Sequence, residues 1–228
     1  MRDEHSPQAG WPHTLRRKTN TSLIRQYRDM VNDIFDGTGR WVVVVGGGVT
    51  AREYVNAGRE LGMDEATCDM LAIKVTRLNA SLIAHALGDT AVQSTPTSLE
   101  EIIALTGFGK IVVTGGLQPG QSTMAVSAVV ASAIRAERVV VATDVDGVYT
   151  ADPKISRDAR LIPHLTFEEL ARIVENTSQR AGEYPLMDQV GLSLLRRTKI
   201  PLYYVNGLNV DRVREALLGR SAGTVVRG

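Results

Sequence analysis

Two glycine-rich turns carry the first chemistry in this sequence. Gly46-Gly47-Gly48 follows the β-branched run Trp41–Val45 and leads into a helical pattern, with Arg52 one turn in. Glycines there let the backbone approach an anion without side-chain clash, and the following helix N-terminus aims free N–H groups at it. Arg52 could add a charge-assisted bond to a phosphate. Gly115-Gly116-Leu117-Gln118-Pro119-Gly120-Gln121-Ser122-Thr123 repeats the arrangement after a second apolar run, Lys110–Thr114. Gly120 permits an unusual backbone angle, Pro119 stiffens the turn, and Ser122 and Thr123 bring hydroxyls to the helix start. Each turn alone is also what an ordinary strand-to-helix connection looks like. Two in one small sheet suggest two anionic groups.

A third segment, Thr143-Asp144-Val145-Asp146-Gly147-Val148-Tyr149-Thr150-Ala151-Asp152-Pro153-Lys154, crowds polar and aromatic groups behind the run Arg138–Thr143. Its aspartates could approach a metal, although their spacing is not that of an EF-hand loop, or they could be turn formers. Residue types alone leave both readings open. Walker, HExxH and GxSxG patterns are missing from the sequence. His5 and His13 lie in a polar N-terminal stretch, His85 sits in a helical pattern as a packing or surface residue, and His164 has no evident partner.

The elements that must position these segments follow from periodicity. Leu23, Ile24, Tyr27, Met30, Val31, Ile34 and Phe35 recur at helical spacing from Ser22 and stop before Gly37. Helices are predicted over Thr50–Leu61, about Asp69–Leu87, Ser122–Arg135, Leu186–Arg197 and Val210–Leu218. Capping-box pairs Ser98/Glu101 and Thr166/Glu169 mark two more helix starts. Trp41–Val45, Lys110–Thr114, Arg138–Thr143, Pro201–Val205 and Thr224–Arg227 read as strands. Short buried strands alternating with helices predict an α/β fold, a three-layer α/β/α sandwich with a mostly parallel sheet. Such sheets hold ligands at the carboxyl ends of their strands, which is where all three segments lie.

Formal net charge is +1, from 26 basic and 25 acidic residues, so no global field points to nucleic acid or an anionic membrane. The single cysteine, Cys68, forbids an internal disulfide and reads as a packed small hydrophobe. No apolar run is long enough to span a bilayer and no signal-peptide core is present, so a cytoplasmic protein is expected.

Taken in order, these segments resemble the amino-acid-kinase superfamily, most closely its archaeal-type uridylate kinases. The resemblance rests on Gly46-Gly47-Gly48-Val49-Thr50-Ala51-Arg52, Asp69, Thr76-Arg77-Leu78-Asn79-Ala80, Thr114–Thr123 and Ala142–Pro153. It implies phosphoryl transfer from ATP to UMP, giving UDP and ADP, with Mg²⁺ carried by the nucleotide and no protein metal site. It further implies that Gly47 meets the UMP phosphate, that Asp69 accepts from the UMP ribose, and that Gln118, Pro119, Gly120, Gln121, Ser122 and Thr123 wrap UMP. Gly48, Arg52, Thr143, Asp144, Tyr149 and Asp152 would serve ATP. Arg52 and Asp146 would be the catalytic pair, the first beside the transferring group and the second an organiser rather than a base. A homohexamer, or a dimer that builds one, is the implied assembly.

The N-terminus departs from the family. Those kinases begin with a strand ending in a Lys-x-Gly-Gly-Ser-like turn over the ATP phosphates. Here that place holds Ser6-Pro7-Gln8-Ala9-Gly10-Trp11-Pro12-His13-Thr14, and Arg17 and Lys18 nearby have no phosphate-binding context. Residues 1–21 therefore read as a polar arm and 22–228 as the amino-acid-kinase-like nucleotide-binding domain, lacking a central strand. A different start, an arm that fills the gap, and a non-catalytic or impaired nucleotide- or oxyanion-binding relative with a regulatory or storage role all stay open.

Overall fold

Most helices begin where a short polar side chain can accept from the first free backbone N–H groups. The structure, a computed structural model, describes residues 19–178 and 188–228. Asn20 caps α1 (Thr21–Ile34), accepting from Leu23 N–H at 3.0 Å. The next helix, α2 (Gly48–Glu60), has no side-chain cap because Gly47 precedes it. Asp64 caps α3 (Glu65–Leu87), Ser98 caps α4 (Leu99–Leu105) and Ser122 caps α5 (Thr123–Ile134). The Thr166/Glu169 box opens α6 (Phe167–Ser178). Glu169 N–H donates to Thr166 Oγ1 at 3.1 Å, and Thr166 N–H donates to the Glu169 carboxylate at 2.8 Å. Asp188 caps α7 (Gln189–Thr198) and Asn209 caps α8 (Val210–Leu217). Sequence periodicity starts α3 four residues late, because Asp64 and not the first apolar residue sets its origin. The expectation of a polar arm over residues 1–21 falls mostly on residues 1–18, which lie outside the described residues, as do Leu186 and Met187 of the expected seventh helix.

Six strands fill the middle layer: β1 (Val42–Val44), β2 (Val112–Thr114), β3 (Val139–Thr143), β4 (His164–Thr166), β5 (Leu202–Asn206) and β6 (Thr224–Arg227). β1 and β2 pair in parallel. The other four run in the order β3-β5-β6-β4, with β3/β5 and β4/β6 parallel and only β5/β6 antiparallel. The parallel-dominated α/β fold expected from the sequence is therefore present. β4 is the strand that periodicity does not reveal, since only Leu165 of its three residues is buried.

Alternation along the strands sends side chains to two helical layers. Val43 and Val45 of β1, Ile111 and Val113 beside β2, Val140 of β3, and Tyr203 and Val205 of β5 share one core with α1, α3 and α8. On the other face Val42, Val44 and Val112 pack with α4 and α5, while Val139, Val141, Leu202 and Tyr204 pack with α6 and α7. Each fully buried aliphatic such as Val113 contributes about 1.5–3 kcal/mol by leaving water. Cys68 is buried in α3, facing Gly58 of α2, as a small hydrophobe would be.

The two sheets do not join. Between β1 and β3 runs a cleft of about 2260 Å³, lined by Val42, Val43 and Val44 on one side and Val139, Val140 and Val141 on the other. Residues of β2 are fully buried, whereas all three residues of β1 are only partly so. The central strand that the sequence lacks is thus a gap in the middle layer.

Candidate active site

The carboxyl ends of β1, β2 and β3 carry the three polar segments, as parallel topology requires. At the first, α2 begins at Gly48, whose φ is +61°, and Arg52 lies one turn in on an exposed face. Asn79 of α3 donates from Nδ2 to Gly46 O at 2.9 Å and fixes the turn from behind. Gly48 and Arg52 line the cleft together with Thr123, Thr143, Asp144, Tyr149 and Asp152.

The second segment is tied to α3 by side chains. Thr76 Oγ1 accepts from Gly116 N–H at 2.7 Å and donates to Ile73 O at 2.7 Å. Arg77 donates from Nε to Gly116 O and from Nη2 to Leu117 O, both at 3.0 Å. Asp69 Oδ2 accepts from Gly120 N–H at 2.8 Å. A side chain at Gly115 would meet Thr76 Oγ1 at 2.5 Å, so this close approach of loop and helix needs glycine. Gly120 takes φ +77°, the unusual angle expected of it. Ser122 Oγ accepts from Ala125 N–H at 3.0 Å and donates to the Asp188 carboxylate. Asp188 also caps α7 through Gly191 N–H at 2.8 Å, so one carboxylate joins the starts of α5 and α7.

The third segment leaves β3 at Thr143, whose Oγ1 donates to Val145 O at 2.7 Å. Asp144 forms an ion pair with Lys154 across the loop, and that hydrogen bond holds the Asp144 carboxyl below the usual carboxylate range. Asp146 accepts from Asn206 Nδ2, at the end of β5, at 3.0 Å. Partial burial raises the Tyr149 phenol, and the Asp146 carboxylate adds to the shift. Thr150 N–H donates to Arg160 O at 3.0 Å, so the segment folds back on itself beyond Tyr149. Among the described residues no group of three His, Cys, Asp or Glu side chains could hold a metal ion.

The site residues sort into two neighbouring parts. Asp69 meets the 116–122 loop directly, while Gly48, Arg52, Thr143, Asp144, Tyr149 and Asp152 share the cleft with Thr123 between them. Gly47 caps α2 beside them, and Asp146 sits under Asn206. Gln118, Pro119 and Gln121 belong to the pinned loop without a side-chain contact that assigns them a task. Four residues gain a part that residue type did not suggest: Arg77, Asn79, Asp188 and Asn206. Three glycine or aspartate turns at the ends of parallel strands form a site for anionic phosphate groups.

The fold and these turns have known counterparts, and the chain belongs to the amino acid kinase family, whose profile matches residues 15–206. Among its relatives, the uridylate kinase of Hyperthermus butylicus is 44% identical over 206 residues, covering 90% of this chain and 91% of that protein. That of Sulfurisphaera tokodaii is 40% identical over 87% of this chain and 88% of the relative. The crystal structure of uridylate kinase from Archaeoglobus fulgidus superposes with a TM-score of 0.82 at 34% identity, covering 92% of this chain and 94% of that one.

Proposed function

We propose that this chain transfers a phosphoryl group from ATP to UMP, giving UDP and ADP. The observation that carries this reading is the 116–122 loop pinned to α3 through Asp69, Thr76 and Arg77, in a chain 44% identical to a uridylate kinase. Phosphoryl transfer asks a protein mainly for positioning and charge stabilisation, and the site is built for both. Asp69, already accepting a hydrogen bond from Gly120, would accept from the UMP ribose hydroxyls. Gly47 would receive the UMP phosphate, and Gln118–Thr123 would wrap the nucleotide. Gly48, Thr143, Asp144, Tyr149 and Asp152 would receive ATP. Arg52 would stabilise charge on the group in transit, and Asp146, held by Asn206, would orient its neighbours rather than take a proton. Mg²⁺ bound to the ATP phosphates would neutralise their charge; the exposed carboxylates of Asp144 and Asp152 are the nearest fit to it.

The test is coupled ADP release by the purified chain with ATP, Mg²⁺ and each nucleoside monophosphate in turn. UMP-specific release is expected, and none above background with any monophosphate overturns the reading. The open cleft beside β3 supports a second reading, a UMP binder without turnover. That one requires UMP binding by calorimetry with no ADP formed. We further propose that the chain works in the cytoplasm and self-associates, with a hexamer as the expected state. No helix among the described residues is long and apolar enough to cross a membrane. A stable monomer at micromolar concentration in sedimentation would overturn the assembly.

A further inference from the structure

The cleft between β1 and β3 has the walls of a strand position. β1 pairs with β2 alone and β3 with β5 alone among the described residues, so each leaves one edge towards the cleft. Hydrogen bonding shows which backbone groups face it. Trp41 O and Val45 N bond to the β2 side, so the odd residues of β1 point there. In a parallel ladder the alternate residues point the other way, which sends the N–H and C=O of Val42 and Val44 into the cleft. Likewise Val139 N bonds to Pro201 O, and Thr143 O accepts from Gly207 N. The backbone groups of Val140 and Ala142 therefore face the cleft from β3. Two edges running in the same direction thus oppose each other.

The remaining walls are apolar. Met30 and Val31 of α1 and Val213 of α8 line the cleft towards one helical layer, and Val130, Ala131 and Ile134 of α5 towards the other. β3, the longer edge, is five residues long. A strand fitting here must run parallel to both neighbours, present aliphatic side chains to both faces, and supply a backbone N–H at each residue. The eighteen residues ahead of Thr19 lack that composition, because Pro7 and Pro12 carry no N–H and Arg16, Arg17 and Lys18 would place cations between apolar layers.

We propose that the cleft is an acceptor slot for one parallel strand of about five β-branched aliphatic residues, supplied from outside residues 1–228. Insertion would join the two sheets into one with the order β2-β1-strand-β3-β5-β6-β4. The carboxyl end of the inserted strand would emerge between Gly48 and Thr143, where its following backbone N–H groups meet the phosphate site.

The test is amide hydrogen exchange on the full 228-residue chain, with and without the peptide Lys-Lys-Val-Ile-Val-Val-Ile-Gly-Lys and without any nucleotide, so that it is independent of the phosphotransfer reading. The amides of Val42, Val44, Val140 and Ala142 are expected to exchange fast in the chain alone and to slow by at least about tenfold at saturating peptide. Two further peptides, N-methylated at alternate residues, each block hydrogen bonding to one wall only. Both should bind at least about tenfold more weakly, since a strand in the slot bonds on both sides. Amides already slow in the chain alone would show that the chain's own arm fills the slot, and would overturn the proposal. No slowing with peptide would overturn it as well. Weakening by only one of the two methylated peptides would mean addition to a single edge, which also overturns it.

Discussion

The loops that follow β2 and β3 leave neighbouring strand ends and serve one site, yet they are secured in opposite ways. The loop after β2 rests on α3, where Thr76, Arg77 and Asp69 reach its backbone between Gly116 and Gly120, and it follows a strand that is fully buried. The loop after β3 depends on an exposed ion pair, Asp144 to Lys154, and on one contact from Asn206, and its strand borders the open cleft. Bonds made through a helix to backbone carbonyls preorganise a site before a ligand arrives, whereas an exposed ion pair contributes little. The half proposed for UMP is thus built in advance, and the half proposed for ATP is left to be completed.

The largest effect expected from that contrast is at Arg52. Arg52→Ala should lower UMP-dependent ADP release by about 100-fold or more, while calorimetric UMP binding stays within about twofold. Loss of UMP binding as well would place Arg52 in the preorganised half. Arg77→Ala should weaken UMP binding about tenfold, or about 1.4 kcal/mol, because two loop carbonyls lose their donor. Unchanged affinity in calorimetry without ATP would show that the α3 contacts do not shape the loop.

Tyr27 gives a smaller effect outside both loops. Its hydroxyl donates to Gly207 O at 2.8 Å, and burial pushes the phenol from an ordinary 10 up to about 12. Ionisation therefore favours the unfolded chain, so stability held below pH 10 is lost as pH rises towards 12. Tyr27→Phe should cost about 1 kcal/mol at neutral pH and flatten this alkaline limb in denaturant titrations. A limb of unchanged slope would assign the alkaline loss to other groups.

The smallest effect belongs to Lys154→Ala. It should leave the melting temperature unchanged and return the Asp144 carboxyl towards its ordinary range, as read by NMR titration. The depressed value means the pairing acts above the usual carboxylate range and is lost as pH falls through the depressed one. A clear drop in melting temperature would make this loop as firmly built as its neighbour.

Much of this was legible in the residues. Ser98, Ser122 and Thr166 announce helix starts because capping is local, and the Val-rich runs announce buried strands because both faces are covered. Gly115 and Gly120 are legible as necessities of a turn. Asp69 is not, since only the resemblance singles it out and its partner lies 51 residues away. The same distance hides Asp188 from Ser122 and Asn206 from Asp146, 66 and 60 residues apart. A short carboxylate or amide has no periodic pattern to join, so its task appears only when two strand ends meet. β4 escapes for a related reason: three residues with a single buried one are too few to show a period.

The order of the second sheet also bears on how the chain comes to be folded. β6 lies between β5 and β4, so β4 finds a partner only when residues about sixty positions later have been made, His164 meeting Val225. At ordinary rates of synthesis, β4 waits roughly 3–12 seconds on the ribosome before its ladder can form. β1 and β2 can pair long before that. During translation the molecule is therefore half a sheet with its acceptor loop already in place, and its last few residues close the rest.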